Sequence, residues 1–262
     1  MSSLPKLLKL KDYITLTGTS LGVIALICAI QGDRFFLSLG YFLCVITIGT
    51  DLLDGLVARK TGTVNEIGKE LDSLNDSLTF GIAPAVLAYQ AYKTGTVYDI
   101  FLITGAVLFS LGAILRLARF NISTDTPGYT GVPTPLSALL LIVFFYFNYF
   151  FAFALGGGGI AGLLHPFPTI SFYVIPFIMM FAAWLNITTY IEFGEKGKII
   201  YNIFIVMAGL TVLLAIVGIS NPNPLLSIIV GIFFLGSFLT EMGYFCFGFY
   251  LKLKKKNKTV IK

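Results

Sequence analysis

The chain alternates long apolar runs with short polar connections. A helix needs roughly 20 apolar residues to cross the hydrocarbon core of a bilayer. Runs of about this length lie at 13–31, 35–53, 71–92, 98–117, 134–155, 169–190, 199–219 and 224–249. The pattern predicts an all-α polytopic membrane protein with about eight spanning helices. Because the connections leave little room for a soluble domain, we expect residues 1–262 to form a single transmembrane domain.

The composition agrees with a membrane location. Hydrophobic residues make up 56% of the chain and charged residues 12%, whereas soluble domains carry about 25% charged residues. The net charge of +5 does not indicate a nucleic-acid partner, because it is concentrated at the ends of apolar runs and in the tail at 251–262. We expect this basic cytoplasmic tail to contact anionic headgroups of the bilayer.

The basic residues also predict the orientation. An even number of crossings places both termini on one side of the membrane, and sixteen of the eighteen lysines and arginines lie on that side. Arg34 and Lys93 are the two on the other side. Since cytoplasmic loops carry an excess of Lys and Arg, we expect an integral protein of the cell membrane with both termini in the cytoplasm.

Four aspartates lie where the second apolar run ends and the third begins, at the side predicted to be cytoplasmic. Asp51 and Asp54 are three residues apart and Asp72 and Asp76 are four apart, so each pair projects from one face of a helix. If the two helices are antiparallel neighbours, all four carboxylates converge. Converging carboxylates repel one another unless they surround a cation, and all-oxygen ligands favour Mg²⁺ or Mn²⁺.

Other residues of the same segment suit a phosphate. Gly55 and Gly68 flank the aspartate pairs and let a large ligand approach the backbone. Arg59 supplies a fixed positive charge that matches phosphate geometry. Metal ligands, an arginine and glycines together predict a diphosphate site.

The spacing of these residues is D-x2-D-G-x2-A-R-x8-G-x3-D-x3-D. It resembles the signature of the CDP-alcohol phosphotransferase family of membrane enzymes. The resemblance implies two divalent ions held by Asp51, Asp54, Asp72 and Asp76, with Asp76 also the candidate general base. It further implies a CDP-linked lipid donor that contacts Gly55, Ala58, Arg59 and Gly68. Members of the family are often homodimers, so the resemblance implies a homodimer here as well.

Three further stretches are most similar to the phosphatidylserine synthase branch of this family. They are SLTFGIAPA after Asp76, LRLARFN at 115–121 and GVPTP at 131–135, so the detailed resemblance covers about 50–140. The branch implies L-serine as the acceptor. Arg116 and Arg119 share a face at the cytoplasmic end of the fourth span and could bind the serine carboxylate, with Asn121 as a polar contact. They could instead anchor the helix to headgroups.

Polar residues within the other spans permit two interpretations. Thr15, Thr17 and Gly22 of the first span either line the nucleotide pocket or serve as helix-packing contacts. Resembling sequences often have asparagine where Gly18 aligns. An ionisable or amide side chain inside a span is costly, and for Asn186 and Glu241 we expect hydrogen bonds between helices.

Two alternatives remain open at this stage. The same chemistry could use glycerol phosphate, inositol phosphate or another polyol as acceptor. A cation or solute transporter would instead need acidic residues near the middle of the membrane on several helices. The aspartates cluster at one face beside glycines and an arginine, which favours the enzyme.

Overall fold

The computed structural model describes residues 8–62, 66–122, 129–193, 197–220 and 222–260, and it is mainly helical. The helices are α1 (Leu10–Gln31), α2 (Arg34–Thr61), α3 (Glu66–Asp76), α4 (Ala83–Tyr92), α5 (Asp99–Ile122), α6 (Thr134–Leu155), α7 (Gly159–Leu164), α8 (Thr169–Ile187), α9 (Gly197–Ile219) and α10 (Pro224–Val260). A π-helix, Ser77–Ile82, joins α3 to α4. The strands are β1 (Tyr129–Thr130) and β2 (Glu192–Phe193).

Among the described residues, six helices are long and apolar enough to cross a membrane, which makes the chain an integral membrane protein. They are α1, α2, α5, α6, α8 and the Pro224–Tyr250 part of α10. The two other predicted runs are also helical: α9 contains a shorter apolar stretch, Val206–Ile219, and 71–92 is divided by the π-helix. The helices are confirmed, whereas the count of eight crossings and the orientation stay predictions. The side chains of the basic tail at 251–262 lie outside the described part.

Helix α6 forms the centre of the bundle, because it is the most buried of the six. Its aromatic side chains pack against neighbours on opposite sides. The ring of Phe145 stacks on Tyr41 of α2 with centroids 4.2 Å apart, and Tyr146 stacks on Phe234 of α10 at 5.1 Å. Large buried aromatic surfaces therefore fix α2 and α10 around α6.

Helices α5 and α8 lie side by side and run in the same direction. A Cβ at Gly105 would lie 3.0 Å from the Pro176 carbonyl oxygen, and one at Gly112 would lie 2.9 Å from that of Ala183. Such close backbone contact requires residues without a side chain. The packing brings the C-terminal ends of both helices together.

The π-helix explains how one apolar run continues past a proline. Pro84 lacks an N–H and would break an ordinary helix at this point. The wider turn allows the Ala83 N–H to donate to the Leu78 carbonyl oxygen, five residues earlier. Such π segments are frequent near functional sites, and this one directly follows Asp76.

The two short strands pair antiparallel, with Tyr129 opposite Phe193 and Thr130 opposite Glu192. They connect the segment before α6 to the segment after α8. The sequence predicts only a loop here, because strands of two residues carry no alternating pattern. Part of that loop, 123–128, lies outside the described residues.

Candidate functional site

Three of the four predicted metal ligands converge. Asp51 at α2 and Asp72 and Asp76 on α3 each offer one carboxylate oxygen, and these oxygens all lie within 4.8 Å of one another. Asp76 is buried, while Asp51 and Asp72 are partly buried. Helix α1 packs against both α2 and α3 and so lies behind this group, which we name the carboxylate cluster.

The fourth aspartate, Asp54, lies outside the carboxylate cluster. The Thr15 hydroxyl of α1 donates a hydrogen bond of 2.6 Å to Asp54 Oδ2. Three residues of helix rotate Asp54 by about 60° from Asp51, which turns its side chain toward α1. The role of Asp54 as a metal ligand stays a prediction. Its contact with Thr15 was not predicted, because for that threonine we considered only pocket lining and helix packing.

A buried ion pair lies at the start of α1, one turn before Thr15. Lys11 Nζ is 2.7 Å from Asp12 Oδ1, and both side chains are almost fully buried. Asp12 Oδ2 also accepts a 2.7 Å hydrogen bond from the Lys9 backbone N–H. The sequence shows only two adjacent charges before an apolar run, so this buried pair was not predicted.

Gly18 marks a close approach between α1 and the helices of the cluster. A Cβ at this position would lie 2.6 Å from Thr50 Oγ1 and 3.2 Å from Asn75 Oδ1, so a larger side chain would require Thr50 and Asn75 to move. Thr19 donates a 3.0 Å hydrogen bond to the same Asn75 oxygen. Helix α1 therefore approaches the helices of the cluster through Gly18.

The other first-helix candidates have packing or surface positions. Thr17 is exposed, and its hydroxyl donates to the Tyr13 carbonyl oxygen of its own helix. A Cβ at Gly22 would lie 2.7 Å from Thr79 Cγ2. Gly22 is thus a helix-packing contact, and pocket lining by Thr17 stays a prediction.

The predicted donor-binding residues are close in sequence to the aspartates of the carboxylate cluster, on both α2 and α3. Gly55 and Ala58 are partly exposed near the end of α2, and Arg59 is exposed. A Cβ at Gly55 would lie 3.5 Å from Arg59 Nη1, so the guanidinium lies over the glycine. Gly68 is buried on α3. Their contact with a CDP group stays a prediction.

The predicted acceptor residues take different positions. Arg116 is buried and close enough to Asp76 for their charges to interact. Arg119 Nη1 donates a 2.9 Å hydrogen bond to the Ile187 carbonyl oxygen of α8. Asn121 Nδ2 donates to Ser73 Oγ at 2.9 Å. Arg119 and Asn121 therefore hold α5 against α8 and α3, and Arg116 faces the carboxylates.

Asn186 and Glu241 correct another expectation. We expected each to hydrogen bond between helices. Both are buried, but neither the Asn186 amide nor the Glu241 carboxylate has a hydrogen-bond partner within the described ranges. Side chains of this kind are costly to bury alone.

The carboxylate cluster fits a hard divalent cation. Asp72 Oδ1 and Asp76 Oδ1 are buried and lack a hydrogen-bond partner in the part of the chain that is described. Buried carboxylate oxygens that repel one another are stabilised by a cation, and oxygen ligands suit Mg²⁺ or Mn²⁺. The residues present can therefore hold the predicted metal.

Comparison with known proteins supports the family resemblance found in the sequence. Residues 8–194 match the family model for CDP-alcohol phosphatidyltransferases. The chain is 31% identical over 233 residues to a CDP-diacylglycerol–serine O-phosphatidyltransferase of Methanocaldococcus jannaschii, covering 89% of this chain and 96% of that protein. It is 34% identical to an archaetidylserine synthase of Methanothermobacter thermautotrophicus, covering 54% and 59%. A CDP-diacylglycerol–serine O-phosphatidyltransferase of Bacillus subtilis is 35% identical, covering 44% and 64%.

Proposed function

Because the chain belongs to the CDP-alcohol phosphatidyltransferase family, we propose that it transfers a phosphatidyl group, or its ether-lipid equivalent, from a CDP-linked lipid to the hydroxyl of L-serine. The second product is CMP. The observation that carries this proposal is the convergence of Asp51, Asp72 and Asp76 in a membrane protein that has the family signature. The names of its relatives support serine as the acceptor and leave both acyl and ether lipids open as donors.

The donor diphosphate would lie at the carboxylate cluster. A pair of Mg²⁺ or Mn²⁺ ions, held by the cluster together with Asp54, would neutralise the diphosphate and stabilise charge on the departing CMP. Gly55 and Gly68 leave room for the ligand, and Arg59 provides a positive charge for a phosphate. Thr15 fixes the Asp54 carboxylate through its 2.6 Å hydrogen bond.

Asp76 is our candidate for the general base. The serine hydroxyl oxygen forms a bond to the phosphorus that carries the lipid, the bond from that phosphorus to CMP breaks, and the hydroxyl proton passes to Asp76. Arg116 lies close enough to interact with the Asp76 charge and would orient the acceptor beside it. A site at the membrane face suits one lipid and one water-soluble substrate. We expect this face to be cytoplasmic and the enzyme to be a homodimer, as the resemblance implies.

The test is CMP release by detergent-purified protein given CDP-diacylglycerol and Mg²⁺ or Mn²⁺. L-serine, glycerol 3-phosphate and inositol phosphate are added in turn. We expect release with serine and formation of a lipid that contains it. Release with a polyol acceptor alone would contradict serine as substrate, and no release with any acceptor, with acyl or ether-linked donor, would contradict the reaction.

A further inference from the structure

We propose that Arg116, Asn186 and Thr134 form a pocket that binds the carboxylate of the amino-acid acceptor. We name these three residues the acceptor pocket. The proposal rests on the proposed function and adds which residues select an amino acid. No acceptor role was predicted from the sequence for Asn186 or Thr134.

The packing of α5 against α8 brings Arg116 to Asn186. Gly112 is in backbone contact with Ala183, and both helices run in the same direction. Arg116 lies one turn beyond Gly112, and Asn186 lies about one turn beyond Ala183, so the two are at the same level. One turn later, the hydrogen bond from Arg119 to the Ile187 carbonyl oxygen again joins α5 to α8.

Backbone contacts bring the start of α6 to the same place. The Val132 N–H donates a 3.0 Å hydrogen bond to the Leu185 carbonyl oxygen. A Cβ at Gly131 would lie 2.8 Å from the Asn186 carbonyl oxygen, so the two backbones are in contact. Thr134 follows two residues after Val132 as the first residue of α6.

The polar groups at this junction need a ligand. Asn186 and Thr134 are fully buried, and Asn186 Nδ2, Asn186 Oδ1 and Thr134 Oγ1 have no hydrogen-bond partner among the described residues. Leaving such groups buried and unpaired destabilises the folded protein. A bound molecule with hydrogen-bonding groups would remove that cost.

The chemistry of the junction fits a carboxylate. The Asn186 amide and the Thr134 hydroxyl can donate hydrogen bonds, and Arg116 adds a positive charge. The N-terminus of α6 has no side-chain cap, because its capping position is Pro133, and the helix dipole there also favours an anion. Asn186 Oδ1 is left to accept from an ammonium group. Carboxylate and ammonium together are the groups of an α-amino acid.

The location fits the reaction. Arg116 interacts with the charge of Asp76, so an amino acid held by Arg116 through its carboxylate would place its hydroxyl near the candidate base. Arg119 and Asn121 act as positioning residues in this arrangement, because their hydrogen bonds go to α8 and α3. This division of roles assigns direct acceptor binding to Arg116.

The experiment compares three variants in detergent-purified protein: Asn186→Asp, Thr134→Val and Asn148→Leu. Asn186→Asp keeps the shape of the side chain but brings a negative charge toward the serine carboxylate. We expect it to raise the KM for serine by about tenfold or more, while the KM for CDP-diacylglycerol stays within about twofold of wild type. Thr134→Val removes one hydroxyl at constant shape, and we expect a rise of about three- to tenfold.

Asn148→Leu is the matched control. Asn148 is also fully buried, but its amide donates to the Phe144 carbonyl oxygen and accepts from the Ser171 hydroxyl. It lies in the other half of α6. We expect a lower melting temperature for this variant and an unchanged KM for serine.

Each outcome decides the proposal. Unchanged serine KM in folded Asn186→Asp and Thr134→Val would overturn the acceptor pocket and leave the proposed function intact. If Asn186→Asp does not fold, Thr134→Val decides alone. Wild-type protein that releases CMP with glycerol 3-phosphate and not with serine, or with neither, would overturn the pocket together with serine as the acceptor.

Discussion

The middle of α6 and the junction around the carboxylate cluster both bury polar groups, but they treat them differently. In the middle of α6, Tyr146 and Tyr149 donate 2.8 Å hydrogen bonds to the carbonyl oxygens of Ser38 and Gly218. At the junction, Asp72 Oδ1, Asp76 Oδ1, the Asn186 amide and the Thr134 hydroxyl lack hydrogen-bond partners within the described ranges. The first region stabilises the bundle, and we interpret the second as a site prepared for ligands.

Charge makes this contrast sharper. The hydroxyls of Tyr41 and Tyr92 are also buried without a partner in the described part of the chain, but they are neutral groups on large aromatic rings. Asp72 and Asp76 instead each bury a carboxylate oxygen without a partner, and an unpaired buried carboxylate is far more costly than a neutral hydroxyl. Clusters of that kind persist where a cation or substrate compensates them.

The largest effect is expected when the candidate base is removed. Asp76→Asn should lower kcat by about 10²- to 10⁴-fold, because the amide cannot accept the hydroxyl proton. The KM for the donor should change much less. Asp99→Asn is the control, since Asp99 is the first residue of α5, at the end of that helix far from Arg116, and accepts hydrogen bonds from Thr94 and Gly95. Full activity of Asp76→Asn would refute its role as base.

The second-largest effect is expected from metal binding at the carboxylate cluster. Mn²⁺ at 100 times its Kd should stabilise the wild-type protein by about 2.7 kcal/mol, measured as a rise in melting temperature, and chelation should abolish turnover. Asp51→Asn should lose most of that rise. In chelator, the same variant should melt at or above the wild-type temperature, because one repulsive charge is gone. An equal Mn²⁺ response in both proteins would contradict the assignment of Asp51.

A smaller effect is expected on the KM for serine, and it should differ between the two arginines of α5. Arg116→Gln should raise the KM for serine by about 10- to 100-fold, as expected for loss of a charged contact. Arg119→Gln should raise it by less than about threefold and lower the melting temperature, because it loses a bond to the Ile187 carbonyl oxygen. The reverse order of the two effects on serine KM would show that Arg119 holds the acceptor.

The smallest effect is expected when the hydrogen bond from Thr15 to Asp54 is removed. Thr15→Val removes the 2.6 Å hydrogen bond to Asp54 and should lower kcat/KM for the donor by about tenfold. Thr15→Ser keeps the hydroxyl and should restore most of it. Equal losses in both variants would mean that Thr15 acts through packing rather than through its hydroxyl.

The sequence was sufficient to predict the helices and the carboxylate cluster. Apolar runs of membrane length placed the first residues of most helices within three residues, although α2 and α10 extend well beyond the predicted ends. Helical spacing, with the two helices assumed to be antiparallel neighbours, brought Asp51, Asp72 and Asp76 together. It could not predict that Asp54 turns toward Thr15, because residues three apart share a face without sharing a neighbour. For the same reason, the sequence could not show which of Arg116 and Arg119 faces the carboxylate cluster.

Long-range contacts account for what the sequence missed. Gly131 and Val132 meet Leu185 and Asn186 across more than fifty positions of the chain, and no local pattern marks such a pairing. The π-helix before Pro84 was also missed, because its apolar residues continue an ordinary helical pattern. These two features position the start of α6 and the turn after Asp76.

The most direct test of the central claim is a crystal structure determined with Mn²⁺ and CDP-diacylglycerol. Anomalous scattering locates manganese without assumptions about the protein. We expect a manganese peak in contact with Asp51, Asp72 and Asp76, beside the donor diphosphate. Manganese bound elsewhere, or a diphosphate bound away from these three aspartates, would contradict it.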